Sequence, residues 1–264
     1  MSDHHWTTAL SCTTENGITI RGYDLVQLIG AVSFPSALFL LFTGELPNPK
    51  VAKLIDALMV ASIDHGPVTP SALAARTAAS GGAPLGAAAA AGLLTLNKFH
   101  GAAVEESMEA IKRVVELVRT SEAANLDAAA DQVVAEMQKA NRRIAGFGHR
   151  QHKKIDPRLE KLFGLAKEAG VVGDHLGAAH AIVRALNRST GKDVPINIDG
   201  GMAAILCEIG FPCSLSNALF MVARLTGILA QADEEITQMP RMRIIDPVDY
   251  SYNGPKERDL IVTH

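Results

Sequence analysis

Apolar residues recur at helical spacing through most of the chain, and the breaks between periodic segments are short. The pattern predicts ten helices, near residues 35–43, 49–64, 70–80, 84–96, 102–120, 126–141, 156–169, 174–187, 200–209 and 215–237. Several carry proline in their first turn, where a missing N–H costs no hydrogen bond. Residues 85–91, after Pro84, are almost all small. A helix of that kind permits close backbone approach, as a buried central helix or a subunit contact needs. Residues 16–20 read as one short strand, and other strand signals are nearly absent.

Two loops interrupt the pattern. Ala145-Gly-Phe-Gly-His-Arg150 is glycine-rich and precedes the basic pair Lys153 and Lys154. Val194-Pro-Ile-Asn-Ile-Asp-Gly-Gly201 places polar Asn197 and Asp199 inside an apolar run just before a helix. Charged residues are denser between Glu105 and Arg188, which suits a more exposed subdomain. The expected division is a large helical domain, 1–100 with 218–264, and a small helical domain, 101–217. A ligand is expected in the cleft between them.

Composition narrows the choices. Hydrophobic residues make up 48% and aromatics only 5%, with alanine and leucine dominant, which points to an all-α fold. A net charge of -3 gives no electrostatic case for nucleic acid or an anionic membrane. Residues 1–8 are polar, and the apolar run 85–96 is too short to span a bilayer. Cys12, Cys207 and Cys213 have no metal-ligand spacing. No metal is expected, and an odd cysteine count fits a reducing cytoplasm.

Candidate chemistry lies at helix ends and glycine turns. His65 stands in Ile63-Asp-His-Gly-Pro67, His100 in Phe99-His-Gly101 and His149 in Gly146-Phe-Gly-His-Arg150. Each alone could simply cap a helix or fill a polar gap. Asp199 has two readings. It could cap the following helix, or its carboxyl could be desolvated and poised for proton transfer at a weakly acidic carbon. Arg158, Arg224, Arg241 and Arg243 could converge on a substrate with several carboxylates, or form intramolecular salt bridges. Arg150, Lys153 and Lys154 beside the glycine loop suggest a phosphate contact or a solvated turn, and match no nucleotide fingerprint.

These pieces, in this order, resemble the citrate synthase superfamily over most of the chain. The resemblance rests on Arg21-Gly-Tyr-Asp24, Ile63-Asp-His-Gly66 with the segment from Ser71 to Ala78, and His100-Gly-Ala-Ala-Val-Glu105. It continues through Gly146-Phe-Gly-His-Arg150 with Asp156-Pro-Arg158, Asn197-Ile-Asp199 and Arg224-Leu-Thr-Gly227. It implies a citrate-synthase-like fold with the site between two domains. His100 would bond the thioester oxygen of an enol. His149 would exchange a proton with the oxaloacetate carbonyl or citryl hydroxyl. Asp199 would move the proton on the acetyl carbon.

The same resemblance gives the carboxylates to His65, Arg158 and Arg224. It sends Arg243, or else Arg241, into the neighbouring subunit's site, so a homodimer or higher homo-oligomer is implied. CoA would lie against Gly146, Phe147, Gly148, Arg150, Lys153 and Lys154, entering as a thioester substrate with no permanently bound cofactor. Only a short stretch separates Arg21-Gly-Tyr-Asp24 from His65, where citrate synthases carry more helices. That compactness, with Asp64-His-Gly-Pro67 and Asp249-Tyr-Ser-Tyr252, resembles the citryl-CoA lyase module of ATP-citrate lyase. No ATP-grasp or CoA-ligase portion is seen, so citryl-CoA would come from another protein.

The implied reaction is cleavage of citryl-CoA to acetyl-CoA and oxaloacetate. The alternatives are condensation of acetyl-CoA with oxaloacetate to citrate, as in citrate synthase, or a non-catalytic CoA-binding helical subunit. His100 is the residue of the synthases, which leaves the direction open.

Overall fold

The structure is a computed structural model and describes residues 7–97, 100–101, 103–148, 156–243 and 251–256. It opens with an antiparallel three-stranded meander, β1 (Ser11–Thr14), β2 (Gly17–Ile20) and β3 (Tyr23–Asp24). β2 is the expected strand. Its partners escape a periodicity reading because the sheet is almost wholly exposed and buries no face. Among the described residues every later element is a helix: α1 (Leu25–Leu28), α2 (Phe34–Thr43), α3 (Pro49–Ser62), α4 (Pro70–Ser80), α5 (Leu85–Leu93), α6 (Ala103–Arg119), α7 (Leu126–Lys139), α8 (Pro157–Ala169), α9 (Asp174–Thr190), α10 (Ile198–Glu208) and α11 (Cys213–Gln238).

Polar side chains start many of these helices. Ser33, Asn48, Thr69 and Asp156 each accept a first-turn amide proton just before a proline that occupies the first or second position of α2, α3, α4 or α8. Several expected boundaries move: α5 stops at Leu93, not Leu96, α9 runs on past Asn187 to Thr190, and α11 starts at Cys213, not Leu215. α3 stops at Ser62, not Asp64, because the Asp64 side chain accepts the Gly66 amide proton at 3.1 Å and bends the chain away. α10 begins at Ile198, not Gly200, because Asn197 takes the capping position.

α4, α5 and α11 pack mutually, with α3 also against α11. α6, α7, α9 and α10 form a second group, with α8 against α10. Contacts between α6 and α11 and between α3 and α8 join the groups, and one continuous apolar core runs through both. α11 runs unbroken past residue 217. It is long and apolar enough to cross a bilayer by length and composition, a property the run 85–96 lacks. Here it is packed in the core through Leu219, Phe220, Ala223, Ile228 and Ala232.

Small residues decide how closely the helices approach. A Cβ at Gly92 of α5 would meet Ile228 at 2.7 Å and the Ser71 carbonyl at 2.8 Å, which accounts for the small-residue helix against α4 and α11. A Cβ at Gly201 of α10 would press into Leu159 of α8.

Candidate active site

Arg224 is the hub of the described site. It lies on a core-facing position of α11 and is 5% exposed. Its Nε donates to the Ser62 carbonyl at 2.8 Å, and its guanidinium lies 4.9 Å from the centroid of the Phe220 ring, one turn earlier. Burial disfavours its charge, nearby Asp64 and Asp199 favour it, and nearby Arg158 opposes it. One cation is therefore within electrostatic reach of three chain segments.

The backbones of Asn97 and His100 bond each other reciprocally at 2.7 Å. Gly101 follows in the left-handed region, at φ 76°, and an added Cβ there would strike the Phe220 ring at 2.8 Å. The Phe220 ring thus lies under Arg224 and against Gly101, next to His100. His100 Nε2 receives the Ser71 amide proton at 3.3 Å and lies 2.9 Å from Ser71 Oγ. An amide N–H can only donate, so Nε2 is the acceptor and the neutral ring carries its proton on Nδ1. Ser71 sits in the first turn of α4, where amide protons have no helical partner. Burial first, then the charges of Arg224 and His65, hold the His100 pKa below its ordinary 6.5 and keep the ring neutral.

Asp199 is not the cap of α10. Asn197 Oδ1 accepts from the amides of Asp199 and Gly200 at 2.9 and 3.2 Å. The Asp199 carboxylate is left for other work. Burial pushes its pKa up, against the opposing pull of Arg224 and then Arg158. Part of the residue remains accessible at the surface although its surroundings are desolvated.

The described part of the glycine loop is locked to the same helix end. Gly148 donates to the Pro195 carbonyl at 2.7 Å, Asn197 donates to the Gly146 carbonyl at 3.0 Å, and Asn197 Nδ2 donates to the Gly148 carbonyl at 3.0 Å. A Cβ at Gly146 would run into Ser107 and meet Gly200 Cα at 2.7 Å. Gly146, Phe147 and Gly148 therefore stand beside Asp199. His149, Arg150, Lys153 and Lys154 lie outside the described residues.

His65 is exposed at the centre of the Asp64–Gly66 turn, close enough for its charge to act on His100. Arg158, at the start of α8, is held by the chain itself. Its Nε and Nη2 take Asp156, the latter at 2.6 Å, and Nη1 donates to the Ala61 carbonyl at 3.2 Å. Arg243 is not among the groups around Arg224. Its guanidinium is paired with buried Glu235, which also holds Arg76 at 2.8 Å. An open groove of about 490 Å³ is lined by Ile63, Asp64, Gly227, Gln231 and Glu234 among others. Its lining contains neither His100 nor Asp199. Among the described residues no cluster of His, Cys, Asp and Glu could hold a metal ion.

The structure thus brings His100, Asp199 and Arg158 each within electrostatic reach of Arg224, sets His65 within reach of His100, and leaves Arg243 apart. Residues 47–247 match the family model described as citrate synthase, C-terminal domain.

The chain belongs to the citrate synthase family.

Within that family it is similar to the structure of citryl-CoA lyase from Hydrogenobacter thermophilus, with 34% identity, a TM-score of 0.87 and 97% of each chain covered. The fold also matches ATP citrate lyase of Methanosaeta concilii in complex with (3S)-citryl-CoA. There the identity is 20% and the TM-score 0.84, over 97% of this chain and 43% of that one. Among curated relatives, citrate synthase of Haloferax volcanii is 26% identical over 90% of this chain, which spans 62% of that protein's length. The glyoxysomal citrate synthase of Cucurbita maxima is 27% identical over 76% of this chain and 38% of its own. The chain thus spans less than two thirds of the synthases it matches, whereas its length agrees with the lyase.

Proposed function

We propose that this protein cleaves citryl-CoA to acetyl-CoA and oxaloacetate. One observation carries the reading: around Arg224 stand a neutral imidazole, His100, with its Nδ1 proton uncommitted to Ser71, and a carboxyl, Asp199, with a raised pKa. A fixed neutral donor suits an enol oxygen, and a carboxyl of raised pKa suits proton transfer to carbon.

His149 would take the proton of the tertiary hydroxyl. The carbon–carbon bond then breaks, its electrons pass to the thioester carbonyl as an enolate, and the hydroxyl carbon becomes the ketone of oxaloacetate. His100 Nδ1–H bonds the enolate oxygen. Asp199, protonated at this stage, delivers its proton to the methylene carbon. His149 and Asp199 then recover their starting states by proton exchange with solvent.

Arg224, His65 and Arg158 would hold the substrate carboxylates, Arg158 through whatever donors Asp156 and Ala61 leave. Gly146, Phe147, Gly148, Arg150, Lys153 and Lys154 would face CoA. A cytoplasmic homodimer in which Arg243 or Arg241 completes the partner's site belongs to the same proposal, as does the division into 1–100 with 218–264 and 101–217. The second reading, condensation to citrate, is favoured by the curated synthases, which share 26–27% identity with this chain.

One experiment separates these readings. Purified protein is given citryl-CoA, with acetyl-CoA and oxaloacetate measured as products. In parallel it is given acetyl-CoA and oxaloacetate, with released CoA trapped by a thiol reagent. Cleavage without CoA release is the expected result, and faster CoA release would make it a synthase. CoA binding with no turnover of either mixture would make it a non-catalytic subunit.

A further inference from the structure

Glu235 on α11 is 2% exposed, yet two arginines meet it: Arg76 of α4 at 2.8 Å, and Arg243 from the segment after α11. Arg76 is itself 4% exposed, and its Nη1 reaches Glu234 and the side-chain oxygen of Gln231, both at 2.6 Å. Gln231 Nε2 donates to Asp64 Oδ2 at 3.2 Å, and the same oxygen accepts the Gly66 amide proton at 3.1 Å, closing the turn that presents His65. These contacts form a line from Arg243 through Glu235, Arg76, Gln231 and Asp64 to the amide beside His65.

The line has a fixed direction. Arginine only donates and a carboxylate only accepts. Gln231 is the adapter between them, its oxygen toward Arg76 and its nitrogen toward Asp64. Helix spacing puts Gln231 on the same stripe of α11 as Arg224. Gln231 follows Gly227 by one turn and Arg224 by two. A Cβ on Gly227 would meet the Asp64 side chain at 2.9 Å and press into the Ile63 carbonyl. Asp64 therefore lies directly on the helix that carries Arg224.

We propose that Gln231, Arg76 and Asp64 are positioning residues, which set the His65 turn against Arg224 from the outer end of α11. The proposal rests on the functional reading above and deepens it: it assigns residues that hold the carboxylate-binding groups in register without touching substrate. It also ties that register to the segment around Arg243.

Two variants of Gln231 test it. Gln231→Met keeps the size and removes both hydrogen bonds. Gln231→Glu keeps the shape and the Arg76 contact but sets a carboxylate against Asp64. A space-filling role would make the glutamate variant the milder one. The positioning role makes it the more damaging one, with the methionine variant losing about five- to tenfold in kcat/KM, carried mainly by KM for the carboxylate substrate. Independently of any substrate, the ring signals of His65 in nuclear magnetic resonance of histidine-labelled protein are expected to move in both variants.

Unmoved His65 signals overturn the proposal, whatever the turnover. So does a glutamate variant with wild-type kcat/KM. If the wild type itself turns over neither citryl-CoA nor the acetyl-CoA and oxaloacetate mixture, the functional reading falls, and the His65 signals decide this one alone.

Discussion

Asp199 is asked to ionise where burial works against its charge, and that demand has a measurable cost in stability. Its folded pKa is raised. The penalty is therefore absent below the unfolded pKa, grows as pH rises toward the folded value and is constant above it. Asp199→Asn is expected to abolish turnover while raising Tm at neutral pH, and the gain should fade as pH approaches 3.8. Thermal melts across pH, set beside the cleavage assay, check both parts; an Asn variant less stable than wild type at pH 7 would remove desolvation as the dominant influence.

His100 carries the opposite sign, with its folded pKa below 6.5. With its neutral ring as the donor, the acid limb that it sets in the pH–kcat/KM profile lies below pH 6.5. His100→Ala should lower kcat by about two to three orders of magnitude, the usual loss for one preorganised donor to a developing oxyanion. Arg158→Lys is expected to raise KM on the order of tenfold, because an ammonium cannot hold Asp156 through two nitrogens and still reach substrate.

Among elements, helix starts are the most legible features of this sequence. The prolines near the starts of α2, α3, α4 and α8, with the polar residues that precede them, mark the starts through local bonding alone. Two of the edges that drift are set by one side chain with two possible uses. Asp64 could extend α3 or close a turn, and Asn197 and Asp199 compete for one cap. His100, Asp199 and Arg224 are legible by type and motif. Phe220 and Gln231 are not, and neither is the partner of Ser71, although Ser71 opens the motif segment that runs to Ala78. Ser71 meets His100 across 29 positions, and Gln231 meets Asp64 across 167, so no local pattern records either contact. The available hint for Ser71 is its place in the first turn of a proline-started helix, where amide protons seek outside acceptors.

What a crossing glycine approaches is also readable only afterwards, although Gly227 itself stands in the Arg224-Leu-Thr-Gly227 motif. Gly227→Ala should cost about 1–3 kcal/mol by overpacking against Ile63 and Asp64. Because the displaced turn carries His65, KM should rise as Tm falls, a pairing that denaturant titration and steady-state kinetics together reveal.

At the scale of the whole molecule, two helical groups share one core, and α11 belongs to the seam between them. Its far end is secured by charge. Glu235 is buried between Arg76 and Arg243, and leaving those cations without it should cost on the order of 3–5 kcal/mol. Urea unfolding of Glu235→Ala measures this, and a loss below 1 kcal/mol would show the pair to be dispensable.

α11 also acts as a ruler. Phe220, Arg224, Gly227, Gln231 and Glu235 follow one another by four, three, four and four positions, and so share a stripe along a straight helix. Adding or deleting a single residue between any two of them would turn everything downstream by about 100°. Drift in chain length is therefore barred within this stretch, while the connecting loops can lengthen freely. Homologous chains should differ in size everywhere except between these five marks.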